Sequence, residues 1–152
     1  MKQFYDVTTK IKDALIAEPF INNVTYGSLN DVDLDKQTIF PIGHMDVSSV
    51  VVSTNVLRFN ISLLVMDVVD ISKDETTDAF RGNDNEHDVL NTTLAVLTRV
   101  LNILQKGSLY KEKYQIEENV TCEPFVDRFE NKLAGYSATF EVVVQNDMTI
   151  CS

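Results

Sequence analysis

Nucleophilic or metal chemistry in this chain would have to start from His44, His87, Cys122 and Cys151, the only histidines and cysteines present. His44 and Asp46 are two residues apart, so on a strand they face the same way and could share a metal. Two ligands are too few for a closed zinc site, and His87 belongs to a different element. His44 therefore reads as a polar strand residue beside a turn. His87 lies in Asp84-Asn-Glu-His-Asp88, which matches a metalloprotease helix only in letters, because Asn91 stands where the second histidine is needed. It reads as a solvated first-turn residue. Cys122 falls within an alternating strand pattern, as a small apolar filler does. Cys151 is expected to be exposed near the end of the sequence, and neither thiol has a neighbouring His or Lys to lower its pKa. Asp31, Asp33 and Asp35 alternate as in a calcium loop, but the glycine at loop position six and the glutamate at position twelve are missing. The five glycines are isolated, which excludes a phosphate-cradling loop or a dinucleotide fingerprint. The expectation is a chain without catalytic residues, cofactor or metal.

One local pattern suggests contact instead of chemistry. In Pro124-Phe-Val-Asp-Arg-Phe-Glu130, Phe125 and Phe129 bracket Asp127 and Arg128. Aromatics beside arginine are enriched at interfaces. The competing reading is a turn with an intra-loop ion pair, worth little at a surface.

The bulk composition sets wider bounds. The 152 residues fit one domain, 1–152, with 44% hydrophobic and 24% charged residues. Thirteen basic and 23 acidic side chains give a net charge of −10. An acidic surface repels nucleic-acid phosphates, and the nearest thing to a basic run, Lys106 to Lys113, is diluted by Glu112. Two cysteines far apart make no disulfide framework and suit a reducing compartment. The first residues carry no signal-peptide pattern, and the most apolar stretch, Ile61 to Val69, is too short to span a bilayer.

The elements that would position these residues follow from periodicity. Phe4, Val7, Ile11, Ala14 and Leu15 recur at helical spacing, and Pro19 ends that helix. Val24 to Tyr26 is a short strand, and Gly27 to Lys36 a polar loop. Thr38 to Asp70 reads as a long hairpin: Pro41 marks an edge strand or bulge, Ser48 to Val52 is a β-branched run, Ser53-Thr54-Asn55 is the tip, and Val56 to Val69 returns. Its near half should be buried and its far half partly exposed. An acidic loop at about 71–88, with Asp74, Glu75 and Arg81, lacks apolar periodicity. Capping residues at Asn83 to Glu86 then open a helix with Val89, Leu90, Leu94, Leu97, Val100, Leu101 and Leu104 on its apolar side, stopped by Gly107. Tyr114 to Phe125 and Tyr136 to Val144 are the last strands, with a turn at Asn131 to Gly135 and a short tail, 145–152. The fold class is α+β: an antiparallel or mixed sheet with a long hairpin, and two helices on one face. The expected interface residues are Ser53, Thr54 and Asn55 at the tip, Asp74, Glu75 and Arg81 in the acidic loop, and Phe125, Asp127, Arg128 and Phe129.

Four segments taken together carry a resemblance: Leu63-Leu-Val-Met-Asp-Val-Val-Asp70, Asp84-Asn-Glu-His-Asp-Val-Leu-Asn91, Pro124 to Gly135, and Asn146-Asp-Met-Thr-Ile-Cys151. The chain resembles small neck or tail-junction proteins of tailed bacteriophages, particularly crAss-like phages, and its element order is similar to the tail-terminator and tail-completion fold. The resemblance implies a virion protein assembled in the host cytoplasm. It implies a homo-oligomeric ring of twelve or six copies between portal and tail, with other neck-ring and tail proteins as partners. DNA would pass through the channel without sequence-specific binding, and no membrane would be involved. Exposed hairpin edges fit intersubunit strand pairing. Two other readings remain open: a small-molecule-binding or regulatory α+β module, and an enzyme whose catalytic groups meet between subunits.

Overall fold

Residues 3–27, 40–69, 86–106, 114–116, 119–128 and 132–146 are described by the computed structural model. Helix α1 spans Gln3–Ile16, strand β1 Asn23–Tyr26, β2 Ile42–Val52 and β3 Val56–Val68. Helix α2 spans Glu86–Lys106, followed by β4 Gln115–Ile116, β5 Cys122–Arg128 and β6 Lys132–Gln145. The expected α+β class is what forms: one mixed sheet of six strands in the order β1-β2-β3-β6-β4, with β5 also paired to β6. Only β1 is parallel to its neighbour, with Asn23 opposite Ile42 and Tyr26 opposite Met45.

The alternation in β3 sets the two faces of the sheet. Leu57, Phe59, Ile61, Leu63 and Val65 point to the helices, and their β6 partners Val144, Val142, Phe140, Ala138 and Tyr136 point the same way. Both helices close over this face. Val7, Ile11, Ala14 and Leu15 of α1 and Val96, Leu97, Val100, Leu101 and Leu104 of α2 join the same core. Burial of this apolar surface, at roughly 25 cal/mol per Å², is the main term holding the layers together. The α2 stripe differs from the expected one by a small rotation: Thr93 and Val96 are buried, while Leu90 and Leu94 are half-buried. Thr93 can face inward because its hydroxyl donates to the Val89 carbonyl at 2.8 Å. Glu18, just beyond α1, is buried and takes Nε and Nη2 of Arg99 on α2 at 2.9 to 3.1 Å, which ties the two helices together.

On the opposite, open face the residues Arg58, Asn60, Ser62, Thr139 and Glu141 are polar, with an Arg58–Glu141 ion pair at 3.1 Å. At the end of the sheet away from the hairpin tip this face turns apolar. Phe40, Ile42, Met66 and Leu133 are buried there, with Val68 and Phe125 packed on them. This accounts for the two-faced apolar run at the end of β3.

Two expectations are corrected. Tyr114 to Phe125 is not one strand: six residues separate Ile116 from Cys122, but four separate their partners Val142 and Ala138, so the edge is interrupted. The even difference keeps the same side chains inward. The turn expected at Asn131 to Gly135 is also misplaced, because Lys132 to Gly135 belongs to β6, and β5 continues through Asp127 and Arg128. Pro124 is tolerated within β5 because β5 is an edge strand.

Candidate functional site

The hairpin end of the sheet is built by β2, β3 and the close of β6. Expected tip residues Ser53, Thr54 and Asn55 do form the turn and are exposed. The Ser53 backbone N–H donates to the Val56 carbonyl at 3.0 Å, and its hydroxyl does so at 3.1 Å. Asn146 clamps the tip from the next strand but one: its backbone N–H donates to Asn55 O and its side-chain amide to Ser53 O, both at 2.9 Å. Strand β6 accompanies β3 along its whole length, from Val68↔Leu133 to Val56↔Gln145. The hairpin is therefore backed on its β3 side, and its freedom lies on the β2 side.

That β2 side is the least ordinary surface of the molecule. β1 pairs only with Ile42 to Met45. Tyr26 is followed by Gly27 at φ 100°, a left-handed conformation that glycine adopts without a Cβ penalty. Among the described residues, no strand other than β3 lies beside Asp46 to Val52. Register slips by one residue at Ser48, which forms a bulge. Beyond it Val50, Val51 and Val52 are 40%, 56% and 71% exposed. The sequence marked this stretch as β-branched, but only the short reach of β1 leaves it bare.

Next to it lies an apolar cleft that the sequence did not announce. Phe4, Tyr5, Thr8, Thr9 and Lys12 of α1 face Tyr26 and Met45 across a space of about 240 Å³. The Phe4 ring meets Tyr26 edge-on and tilts over Phe59, each at 6.4 Å between centroids. Phe59 is the register partner of Val50, so cleft and strand edge adjoin. The signal in the sequence was Phe4 at the start of the helical stripe and Tyr26 at the strand end, aromatic residues placed where each element runs out of cover.

The remaining expected contact residues are scattered. Phe125 lies half-buried on the open face in the Phe40–Met66–Leu133 cluster, far along the sheet from the tip. Asp127 and Arg128 continue β5. Asp74, Glu75, Arg81 and Phe129, like the acidic aspartates of 31–35 and Cys151, lie outside the described residues.

Of the residues weighed for chemistry, His44 and Cys122 have structural roles. His44 lies in strand β2 beside the Gly27 turn, and it is only 1% exposed, a burial its reading as a polar strand residue beside a turn did not include. Its Nε2 is 2.7 Å from the Gly27 carbonyl, which can only accept, so Nε2 carries the proton. Nδ1 then accepts from the Thr25 hydroxyl at 2.7 Å. The imidazole fastens β1 and its exit turn to β2. Burial pushes its pKa below 6.5, outweighing the opposite pull of the Gly27 carbonyl and the Asp46 charge. Below pH 6.5 the unfolded chain takes up a proton that folded His44 resists, so the contribution of this group is complete above that pH and falls as pH drops. Chemical denaturation at about pH 7.5 and about pH 5.5 should show the loss, and His44→Gln should flatten the slope. Identical slopes for both proteins would exclude His44 as its source.

Cys122 packs half-buried against the core, and burial raises its thiol pKa, the reverse of what a reactive cysteine needs. His87 is exposed in the first turn of α2. Among the described residues no three His, Cys, Asp or Glu side chains gather as a metal site. A polar depression of about 190 Å³ between β5 and β6 is lined, among the described residues, by Thr121, Glu123, Ser137 and Thr139, which include one acid and no histidine, lysine or arginine. No described helix is long and apolar enough to cross a membrane. Comparison with models of known families gives no match, and neither does a search of curated proteins.

Proposed function

We propose that this chain is a non-catalytic structural subunit that self-associates into a ring, of the kind that joins portal and tail in a tailed bacteriophage. The observation that carries self-association is the β2 edge beyond Met45, which no strand among the described residues covers, with Val50, Val51 and Val52 exposed in succession. An unpaired strand edge offers a row of backbone donors and acceptors, and contiguous exposed apolar side chains mark interaction surfaces. The assignment to a phage neck rests on the resemblance of the four segments named above, together with the sheet and two helices that the tail-terminator order implies. Net charge −10 per subunit suits a channel that DNA slides through without adhering.

A small-molecule-binding module is the second reading, and the Phe4–Tyr5–Tyr26 cleft is what favours it. At about 240 Å³ and open to one side, it falls under the roughly 300 to 1,000 Å³ usual for enclosed ligand pockets. Mass measurement and negative-stain microscopy of the purified protein, alone and mixed with portal or tail preparations, separate the readings. Closed rings of six or twelve copies are the expected result. A protein that stays monomeric at every concentration and joins neither preparation removes the proposal.

A further inference from the structure

We infer that the free edge of β2, from Val47 to Val52, pairs antiparallel with the same edge of a second copy of this chain. The inference rests on the reading of the chain as a self-associating subunit and names the surface that does the joining.

The position that an added strand would occupy is already defined. It continues the line of β1, which covers β2 only as far as Met45 before Gly27 turns away. One face of such a strand would lie along Met45, Val47, Val50 and Val52 and reach the Phe4–Tyr5–Tyr26 cleft; the other would lie beside Val51. Backbone bonds along an edge supply affinity, and a pocket for alternate side chains supplies selectivity. Edge and cleft adjoin, so both parts of that arrangement are present.

Among the described residues, the β5 and β2 edges of the sheet differ. Edge strand β5 carries Glu123 and Pro124, a charge and a missing N–H, which are common devices against unwanted pairing. β2 carries a bulge at Ser48, and beyond it Ser49-Val-Val-Val52 has neither a charge nor a proline, so the regular ladder open to pairing is the part beyond the bulge. Charge singles out this edge as a place where two copies can meet. Each copy carries −10, so two copies repel over most of their surfaces. Residues 47–57 contain no ionisable side chain, so here two copies meet without desolvating like charges. A basic foreign partner would find no carboxylate along this stretch to answer it. Pairing of identical edges closes on itself, so a ring of six or twelve built on it consists of pairs joined by a second contact.

The test uses the full chain with Val51→Glu and Val52→Glu, both exposed in the free subunit, and Val126→Glu on β5 as the control. Sedimentation gives the dissociation constant, circular dichroism the fold, and hydrogen exchange the protection of amides 47–52. In the wild type these amides should slow as concentration rises. Each β2 variant should weaken association by about 100-fold or more, since like charges placed in contact cost several kcal/mol, and the control should not. Wild type and β2 variants associating equally, or amides 47–52 exchanging alike at all concentrations, would overturn the edge pairing and leave a ring by another contact standing. A wild type that remains monomeric alone and with portal or tail preparations would overturn both.

Discussion

Gly135→Ala should separate the two central strands and lower stability by about 3 kcal/mol or more, the upper range for forcing an atom into a packed interior. Gly135 lies opposite Met66 in the β3–β6 ladder. A Cβ placed there would overlap the carbonyl oxygen of Val65 and would come within 2.8 Å of Met66 Cα and 2.9 Å of Val65 C. All three obstacles are backbone, so no rotamer change relieves them, and β3 must move away from β6. That ladder joins the hairpin to the rest of the sheet along thirteen register pairs, from Val56 to Val68, so the strain cannot stay local. Thermal unfolding followed by circular dichroism would show the loss. A midpoint within about 2 °C of wild type would mean that the strands do not approach this closely at Gly135.

Phe140→Ala should cost about 3 to 5 kcal/mol, through lost burial and the cavity left behind. Phe140 is 1% exposed and is among the largest fully buried side chains. It lies opposite Ile61 in the layer that both helices cover. A domain of ordinary stability has about 5 to 15 kcal/mol in total, so this change removes a large share of it. In urea the midpoint should fall with the slope unchanged, which separates lost packing from a change in the unfolded chain. Phe125→Ala is the comparison, because Phe125 is only half-buried, in the small cluster on the other face. Its loss should be clearly smaller. Equal effects would mean that the open-face cluster contributes as much as the main core.

Both changes act on the scaffold that presents the β2 edge, so their consequences reach the proposed function. Edge variants such as Val51→Glu should behave in the opposite manner, altering association while leaving the fold in place, because Val51 is already in water.

Local signals in the sequence determined much of this molecule. Alternation from Val56 onward fixed which β3 side chains face the core, because successive Cβ atoms point to opposite sides of a strand. Ser53-Thr54-Asn55 could be placed at the tip because turn-forming side chains interrupt two β-branched runs. Helical spacing and Pro19 gave α1, and Leu97 to Leu104 gave α2, to within a residue or two at each end. The composition gave the acidity.

What the tertiary structure decided depends on partners distant along the chain. His44 was legible as a polar residue, but its burial rests on Thr25 and on the Gly27 carbonyl, 17 residues away. Glu18 follows the first helix and is buried under the guanidinium of Arg99, 81 residues on. Pro124 and the Asp127-Arg128 pair read as turn chemistry; the strand became possible only because β5 lies at an edge, where a missing N–H costs no ladder bond. Gly135 likewise looked like the end of a turn, whereas it marks the close approach of β6 to β3. The exposed edge follows the same rule. Val50, Val51 and Val52 announce a strand, but whether a neighbour covers it depends on where β1 stops, and that is fixed by the turn at Gly27 and by the His44 bond that holds it.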